Sequence, residues 1–249
     1  MRKAFSILLL LCFAFSVAAF AQGEEDSVIS RRMKFVYDDS LGRNSVMFQS
    51  NAPLETIIGM TNELYGFVEV DLDSLTDNPM ARFEVVLGSL TTGIEDRDTE
   101  MFSEEYLAVD SFPVATFELM TIRKAADIVL VNEGALDIVG RGTFTLHGVM
   151  DTVNVNVKLT YFEQNEVTET RLPGNILKMN ANFSIRLSDF GIMLPETVIL
   201  KLDDRISISI DAYGGTGVVP IDRTAAEIMP EEEMMEGEDT ATPAEEVEG

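Results

Sequence analysis

The sequence has very few Cys and His residues, which are common metal ligands and catalytic groups. Its 249 residues include one Cys, one His and no Trp. One Cys cannot form an internal disulfide bond, and one His excludes a metal site with two His ligands. A serine triad around His147 would need an activated Ser, and the chain has no G-x-S-x-G motif. The residues most often used for catalysis are therefore nearly absent, which argues against an enzyme.

Basic residues are also scarce. The chain has 18 Lys and Arg against 43 Asp and Glu, for a formal net charge of -25. A nucleic-acid-binding protein needs Lys and Arg to meet the phosphates, so that class is excluded, as is docking on an anionic membrane surface. Hydrophobic residues make up 46% of the chain, which is enough for a folded core in one domain or at most two.

The first 21 residues have the pattern of a signal peptide. Arg2 and Lys3 form a basic start, Ala4–Ala18 is mostly apolar, and Ala19–Ala21 fits a small-x-small cleavage site. We expect the mature protein to begin at Gln22, to be exported, and to have no membrane span after cleavage. The alternative is an uncleaved membrane anchor, for which the apolar run is short.

Residues 215–249 are predicted to form an acidic, disordered tail. From Asp222 to Gly249 the chain has 11 acidic residues and a single basic one, Arg223, without apolar periodicity. Like charges at this density repel one another and leave too little apolar surface to fold. The alternative is an acidic arm that binds calcium or a partner, and the sequence does not identify a protein partner.

The region between the two ends alternates apolar and polar residues, which is typical of β-strands with one buried face. Four long strands are predicted at Leu136–His147, Val153–Tyr161, Leu177–Ile185 and Ile206–Ile210. Shorter ones are predicted around Val46 and Phe48, and at Gly66–Leu72, Phe83–Leu87, Ala115–Leu119 and Ile128–Val131. Eight or nine strands with short connections indicate an all-β antiparallel sandwich or barrel. One short helix, Ser103–Leu107, is predicted ahead of Pro113, where it could cap a barrel mouth.

Alternation does not decide whether the apolar face surrounds a filled core or a lumen. The strand Leu136–His147 has 12 residues, and at about 3.3 Å per residue it is about 40 Å long. A wall of that length with small residues such as Gly140, Gly142 and Ala181 on its apolar face leaves room for a lumen. The pattern alone still favours an ordinary filled core.

Three further clusters have structural interpretations. His147 precedes Gly148 at a strand end and is predicted to shape that turn through a hydrogen bond. The spacing of Asp71, Asp73 and Asp77 resembles a calcium loop, but Leu75 occupies a ligand position and the loop glycine is missing. The segment 96–98, Asp-Arg-Asp, is interpreted as a structural ion-pair cluster or an exposed loop rather than a catalytic group.

An ordered set of short motifs resembles the YceI-like family of exported lipid- and polyisoprenoid-binding proteins. The motifs are Ser45–Phe48, Gly88–Gly93, Arg97-Asp98, Glu105–Leu107, Phe112-Pro113, Thr116-Phe117, Gly142–Val149 and Ser188–Ile192. The resemblance covers about Ser45 to Tyr213. It departs from the common family pattern at Ser50–Glu55, where many members have a His and a Gly-rich turn, and this affects the predicted entrance to the cavity.

The resemblance implies an eight-stranded antiparallel lipocalin-like barrel over residues 22–214 with an apolar lumen. It implies a bacterial protein of the periplasm or the exterior that carries or scavenges one isoprenoid, quinone-like or fatty chain. No cofactor or metal is implied. The apolar faces described above then predict these lumen residues: Phe48, Val68, Val85, Phe117, Leu119, Ile138, Phe144, Leu146, Val155, Val157, Leu159, Met179, Phe183 and Ile208.

Two other functions remain open from the sequence. One is a solid-core β module that binds a protein or polymer partner, and the other is an enzyme acting on an isoprenoid or quinone. The enzyme would need an acid–base pair facing the lumen, whereas His147 is predicted on the opposite face. Thr91, Thr92, Arg97 and Asp98 are interpreted either as rim groups of the lumen or as braces of their loop.

Overall fold

A computed structural model describes residues 31–123 and 129–221 of the chain. Within them lie ten strands and one α-helix: β1 (Arg32–Tyr37), β2 (Ser45–Asn51), β3 (Thr56–Thr61), β4 (Leu64–Asp71), β5 (Met80–Val86), α1 (Glu95–Phe102), β6 (Val114–Arg123), β7 (Ala135–Leu146), β8 (Val149–Phe162), β9 (Ile176–Arg186) and β10 (Arg205–Gly215). No described helix has the length and apolar character needed to cross a bilayer. The predicted signal peptide and residues 222–249 of the predicted tail lie outside the described residues.

Eight of the strands close into an antiparallel barrel. Their order is β1-β4-β5-β6-β7-β8-β9-β10, and Val36 of β1 pairs with Gly215 of β10 to complete the ring. The first half of β10 pairs with β2 instead, and β3 continues that side as a hairpin with β2. The predicted all-β barrel with eight strands is therefore confirmed, with the β2–β3 hairpin added beside β10.

The long strands follow the predicted alternation. In β7 the buried positions are Ile138, Gly140, Gly142, Phe144 and Leu146, and each residue between them is partly exposed. The register of β7 with β8 sets Ile138 opposite Val157 and Gly140 opposite Val155, which keeps apolar residues on the inner face of both strands. The inner face of the barrel is thus continuous from strand to strand.

Two predictions of secondary structure were wrong. The helix is Glu95–Phe102, and the predicted segment Ser103–Leu107 forms turns directly after it. Acidic residues fill the first helical turn, where they interact favourably with the helix dipole. Val129–Val131 is not a strand, because Leu130 is buried at one end of the barrel and donates its backbone N–H to the Leu72 carbonyl at 2.7 Å. Ile128 lies outside the described residues.

One end of the barrel is closed by tightly packed side chains. The residues that close it are fully buried or nearly so: Phe35, Tyr37, Leu72, Leu75, Leu130, Tyr161 and Leu177. The Tyr37 hydroxyl donates to the Leu177 carbonyl at 3.0 Å, and burial raises the Tyr37 pKa, so the phenol stays protonated. The Phe35 and Tyr161 rings meet edge to face with centroids 6.2 Å apart.

The opposite end, which we call the mouth, is formed by four connections between strands. These are β2–β3, β5–β6, β7–β8 and β9–β10, and α1 belongs to the β5–β6 connection. They contact one another, since Leu54 donates its backbone N–H to the Leu200 carbonyl at 2.8 Å and the His147 ring lies 5.2 Å from the Phe112 ring. The fold therefore has one sealed end and one end built from loops.

Candidate functional site

A cavity of about 650 Å³ occupies the barrel between the closed end and the mouth. This volume lies within the range of about 300–1,000 Å³ typical of small-molecule sites. Nine of the ten strands contribute to its wall, all except β1, so the cavity runs through the barrel interior. The described part of the chain thus encloses a lumen.

All fourteen side chains predicted from the alternation lie on the wall of this cavity. They are Phe48, Val68, Val85, Phe117, Leu119, Ile138, Phe144, Leu146, Val155, Val157, Leu159, Met179, Phe183 and Ile208. Their contact with a ligand remains a prediction. Every one of them is apolar, so the wall offers a ligand burial rather than directed hydrogen bonds.

Two glycines in the barrel wall allow aromatic rings from neighbouring strands to lie against the backbone. A Cβ on Gly59 would come within 2.3 Å of the Phe48 ring on the neighbouring strand. A Cβ on Gly142 would come within 2.5 Å of the Phe117 ring and 2.4 Å of the Glu118 carbonyl oxygen. The two rings therefore lie against the backbone of the wall, which leaves the centre of the barrel open.

A cluster of three rings holds part of the wall in place. Phe144 meets Phe183 and Phe190 edge to face, with centroids 5.5 Å and 5.6 Å away. Phe190 is nearly fully buried and comes from the β9–β10 connection, whereas the other two rings line the cavity. Edge-to-face pairs favour a fixed geometry, so this side of the lumen is preorganised.

The mouth supplies most of the cavity residues that the alternation did not predict, and the strand residues Ile57, Leu64, Ala81, Thr116 and Ile122 supply the others. Every lining residue outside the strands comes from the β2–β3, β5–β6 or β9–β10 connection. From α1 these are Asp96, Arg97, Glu100 and Met101, which recur at the spacing of one helix face. This spacing would have predicted that the four residues share one face, but only if residues 95–102 had been predicted as a helix.

All charged groups that line the cavity lie at the mouth. They are Glu55, Asp96, Arg97, Glu100 and Lys201. Arg97 Nη2 lies 2.9 Å from Glu55 Oε1, so an ion pair joins α1 to the β2–β3 connection. The depth of the lumen is apolar and its entrance is charged, an arrangement suited to a ligand with an apolar chain and a polar end.

Asp98 braces the loop that precedes α1. It accepts hydrogen bonds from the Thr91 hydroxyl at 2.7 Å, the Thr92 hydroxyl at 2.6 Å and the Thr92 backbone N–H at 2.8 Å. Burial alone would raise the Asp98 pKa, but these hydrogen bonds outweigh it and lower the pKa below its ordinary value. Asp98 and Thr91 are therefore loop braces, whereas Thr92 and Arg97 also line the mouth.

Tyr106 adds a neutral polar group to the entrance. It lines the cavity from the turn after α1. Burial raises the Tyr106 pKa, and the nearby carboxylates of Glu100 and Glu105 raise it further. The phenol is therefore protonated at neutral pH and available as a hydrogen-bond donor at the mouth.

The other polar clusters have structural roles. His147 has a φ of 52° at the β7–β8 turn, and its Nδ1 lies 3.3 Å from the Phe190 carbonyl oxygen, so the ring contacts the β9–β10 connection rather than its own turn. Asp73 forms an ion pair with Arg31 at 2.7 Å, and its backbone N–H donates to Asp71. Among residues 31–123 and 129–221, no group of three His, Cys, Asp or Glu side chains is arranged to hold a metal ion.

The fold and cavity define a class: a closed eight-stranded antiparallel barrel with an apolar lumen, sealed at one end. A family model described as the YceI-like domain matches residues 40–213, which is more than half of the chain. The protein belongs to the YceI-like family, and the resemblance seen in its motifs is confirmed.

Solved structures with the same fold have low sequence identity to the chain. BcnA of Burkholderia cenocepacia is 17% identical with a TM-score of 0.55, and the match covers 71% of this chain and 99% of that one. A polyisoprenoid binding domain of Saccharophagus degradans, implicated in plant cell wall breakdown, is 14% identical with a TM-score of 0.54, covering 75% and 99%. The YceI protein of Campylobacter jejuni is 17% identical with a TM-score of 0.50, covering 62% and 82%. No curated protein matches the chain.

Proposed function

We propose that the protein holds one long apolar chain, an isoprenoid, quinone-like or other lipid, in the barrel cavity and acts outside the cytoplasm as a carrier or scavenger. The observation that carries this proposal is the cavity of about 650 Å³, whose wall is apolar throughout its depth and charged only at the mouth. The similarity in fold to a polyisoprenoid binding domain supports the same class of ligand.

The energetics suit such a ligand. Each CH₂ group removed from water contributes about 0.8 kcal/mol, so a chain of ten such groups gains about 8 kcal/mol before the cost of immobilisation. Inner-face residues such as Ile138, Val157 and Leu159 supply this burial without any directional bond. The polar end of the ligand would lie at the mouth near Arg97 and Tyr106.

The two alternatives fit the site less well. A solid-core module would fill the barrel, whereas this barrel encloses a cavity. An enzyme would need an acid–base pair at the reacting group, and the single imidazole, His147, is absent from the cavity wall and engaged with the Phe190 carbonyl. We therefore propose a binding protein without a catalytic step.

Native mass spectrometry of the protein purified from its own host tests this proposal. We expect a mass excess over the polypeptide that disappears on denaturation and reappears as a lipid in the organic extract. Protein stripped of lipid and then mixed with an isoprenoid alcohol should regain one equivalent. An unliganded protein that also fails to take up isoprenoids, quinones and fatty chains would contradict the proposal.

Export is tested separately. The amino-terminal sequence of the purified protein should begin at Gln22, as the cleavage site predicts. Recovery of the intact amino terminus in the membrane fraction would contradict export by cleavage. Carrier and scavenger differ in release: a carrier should pass its lipid to acceptor vesicles, whereas a scavenger should retain it.

A further inference from the structure

Large apolar side chains are exposed around the mouth of the cavity. Leu54 and Met193 are each 71% exposed, and Leu200 is 52% exposed. Ile94 and Ile199 are also about half exposed. We call these five residues the mouth rim. They come from the β2–β3, β5–β6 and β9–β10 connections, which are the three that line the cavity entrance.

The mouth rim is continuous with the lumen. Leu54 donates its backbone N–H to the Leu200 carbonyl at 2.8 Å, so these two side chains belong to one surface. Their chain neighbours Glu55 and Lys201 line the cavity, and Ile94 lines it directly. Ile94 is therefore both exposed at the rim and part of the cavity wall, so the rim adjoins the cavity.

We propose that the mouth rim docks on the surface of an electrically neutral lipid bilayer and that the ligand passes between bilayer and cavity while the protein is docked. This inference rests on the proposed function. A lipid that crosses open water exposes apolar surface at about 0.8 kcal/mol per CH₂ group, and contact between rim and bilayer removes that exposure. Docking on the bilayer that supplies the ligand would then explain why apolar residues are exposed around the cavity.

The charge of the mouth decides between possible occupants. Helix α1 has four acidic residues, Glu95, Asp96, Asp98 and Glu100, and one basic residue, Arg97. The whole chain has a net charge of -25. An anionic bilayer would be repelled by this surface, and so would a second copy of the same acidic mouth. A zwitterionic bilayer has no net charge, so the acidic mouth does not repel it, and its hydrocarbon interior can accept the exposed apolar side chains of the rim.

Transfer kinetics provide the test. The probe is an anthroyloxy-labelled fatty acid in phosphatidylcholine vesicles that contain a quencher, and uptake by the full mature protein is followed by fluorescence. Transfer during docking makes the rate rise in proportion to vesicle concentration, whereas transfer through water makes it independent. We expect proportionality for the parent protein.

The double variant Leu54→Ser with Leu200→Ser removes apolar surface from the rim without touching a cavity-lining residue. We expect its transfer rate to fall about tenfold or more, because two leucine side chains no longer enter the interface, with equilibrium affinity for the probe unchanged. The matched control is Leu41→Ser with Val167→Ser, which are 72% and 76% exposed in connections at the closed end, and it should transfer at the parental rate.

Lipid charge and salt give an independent readout. Replacing part of the phosphatidylcholine with phosphatidylglycerol should slow transfer to the parent protein, and added salt should restore it because salt screens the repulsion.

A rate independent of vesicle concentration, or a rim variant as fast as the parent, would overturn the docking proposal while lipid binding stood. A parent protein that takes up neither this probe nor an isoprenoid or quinone would contradict the proposed function. Docking is then judged by co-flotation of the protein with the vesicles, and its absence from them would overturn docking as well.

Discussion

Arg97 of α1 and Glu55 of the β2–β3 connection form an ion pair across the mouth, with 2.9 Å between Nη2 and Oε1. Their side chains are 26% and 36% exposed, so solvent screens the pair and its contribution to global stability is small, about 0–1 kcal/mol. The same energy matters more for a local opening than for unfolding, because α1 has no fully buried residue and only Met101 and Phe102 of the helix pack against the core.

Glu55→Gln should therefore speed ligand exchange rather than unfold the barrel. Loss of up to about 1 kcal/mol from the closed mouth corresponds to a rise of about two- to fivefold in the rate of ligand release. Release of a bound fluorescent fatty acid measures this rate, and thermal unfolding should be nearly unchanged. Glu118→Gln, which removes an ion pair with Arg82 on the outer wall, is the control and should leave release unaltered. An equal release rate for Glu55→Gln and the parent would show that the pair does not restrain the mouth.

Gly142→Ala tests the close approach in the wall. The new Cβ would lie 2.4 Å from the Glu118 carbonyl oxygen, and a backbone atom of a paired strand cannot move aside cheaply. We expect a loss of about 1–3 kcal/mol in the free energy of unfolding, measured by urea denaturation. Gly140→Ala in the same strand meets only the end of the Leu119 side chain at 3.3 Å and should cost less. Equal losses for the two variants would contradict the steric explanation.

Asp98→Asn tests the brace before α1 through its pH dependence. The Asp98 pKa is lowered in the folded protein, so its stabilisation is present above its ordinary pKa of about 3.9 and is lost as the pH falls through the lower folded value. The variant should be less stable by about 1 kcal/mol at neutral pH, and this difference should shrink below about pH 4. Urea unfolding across this pH range measures it. Asp96→Asn, at an exposed neighbouring position, is the control, and a difference that persisted undiminished at low pH would contradict an ionised Asp98.

Alternation predicted the strands whose two faces meet different environments. In β7 the residues Ile138 and Phe144 face the lumen, and the residues between them are partly exposed. In β3, which was missed, Ile58 and Met60 on the outer face are as apolar as Ile57 on the inner face, so no alternation is visible. β1 was missed because Val36, on the outer face between Phe35 and Tyr37, is apolar as well, which leaves only a short alternation.

The lumen was predictable and the mouth was not, for one physical reason. A strand period of two assigns a face to every residue, so positions such as Val157 and Phe183 follow from the pattern without knowledge of the fold. The mouth is assembled from connections distant in sequence, and only closure of the barrel brings Glu55 to Arg97 and Lys201. The sequence also left open whether the barrel was filled. Glycine in the wall is compatible with a filled core and with a lumen, and the two are distinguished only by where the neighbouring aromatic rings lie.

Val157 is the position where a hollow and a filled barrel respond differently. Its side chain lines the cavity from β8, and its strand neighbours on the inner face are Ile138 and Ala181. A phenylalanine there adds volume. In a filled core, overpacking of this kind costs about 1–3 kcal/mol of stability. In a cavity of about 650 Å³ the ring has room, so it takes space from the ligand instead.

We expect Val157→Phe to unfold at the parental temperature while lipid uptake, measured by native mass spectrometry after incubation with an isoprenoid alcohol, falls. Asn156→Ala is the matched control, since Asn156 is the preceding residue on the exposed face and should change neither property. A variant that loses stability and a parent that never carries lipid would together indicate a filled barrel and remove the main support for lipid binding. A stable variant that takes up lipid as well as the parent would instead show that this part of the lumen does not hold the ligand.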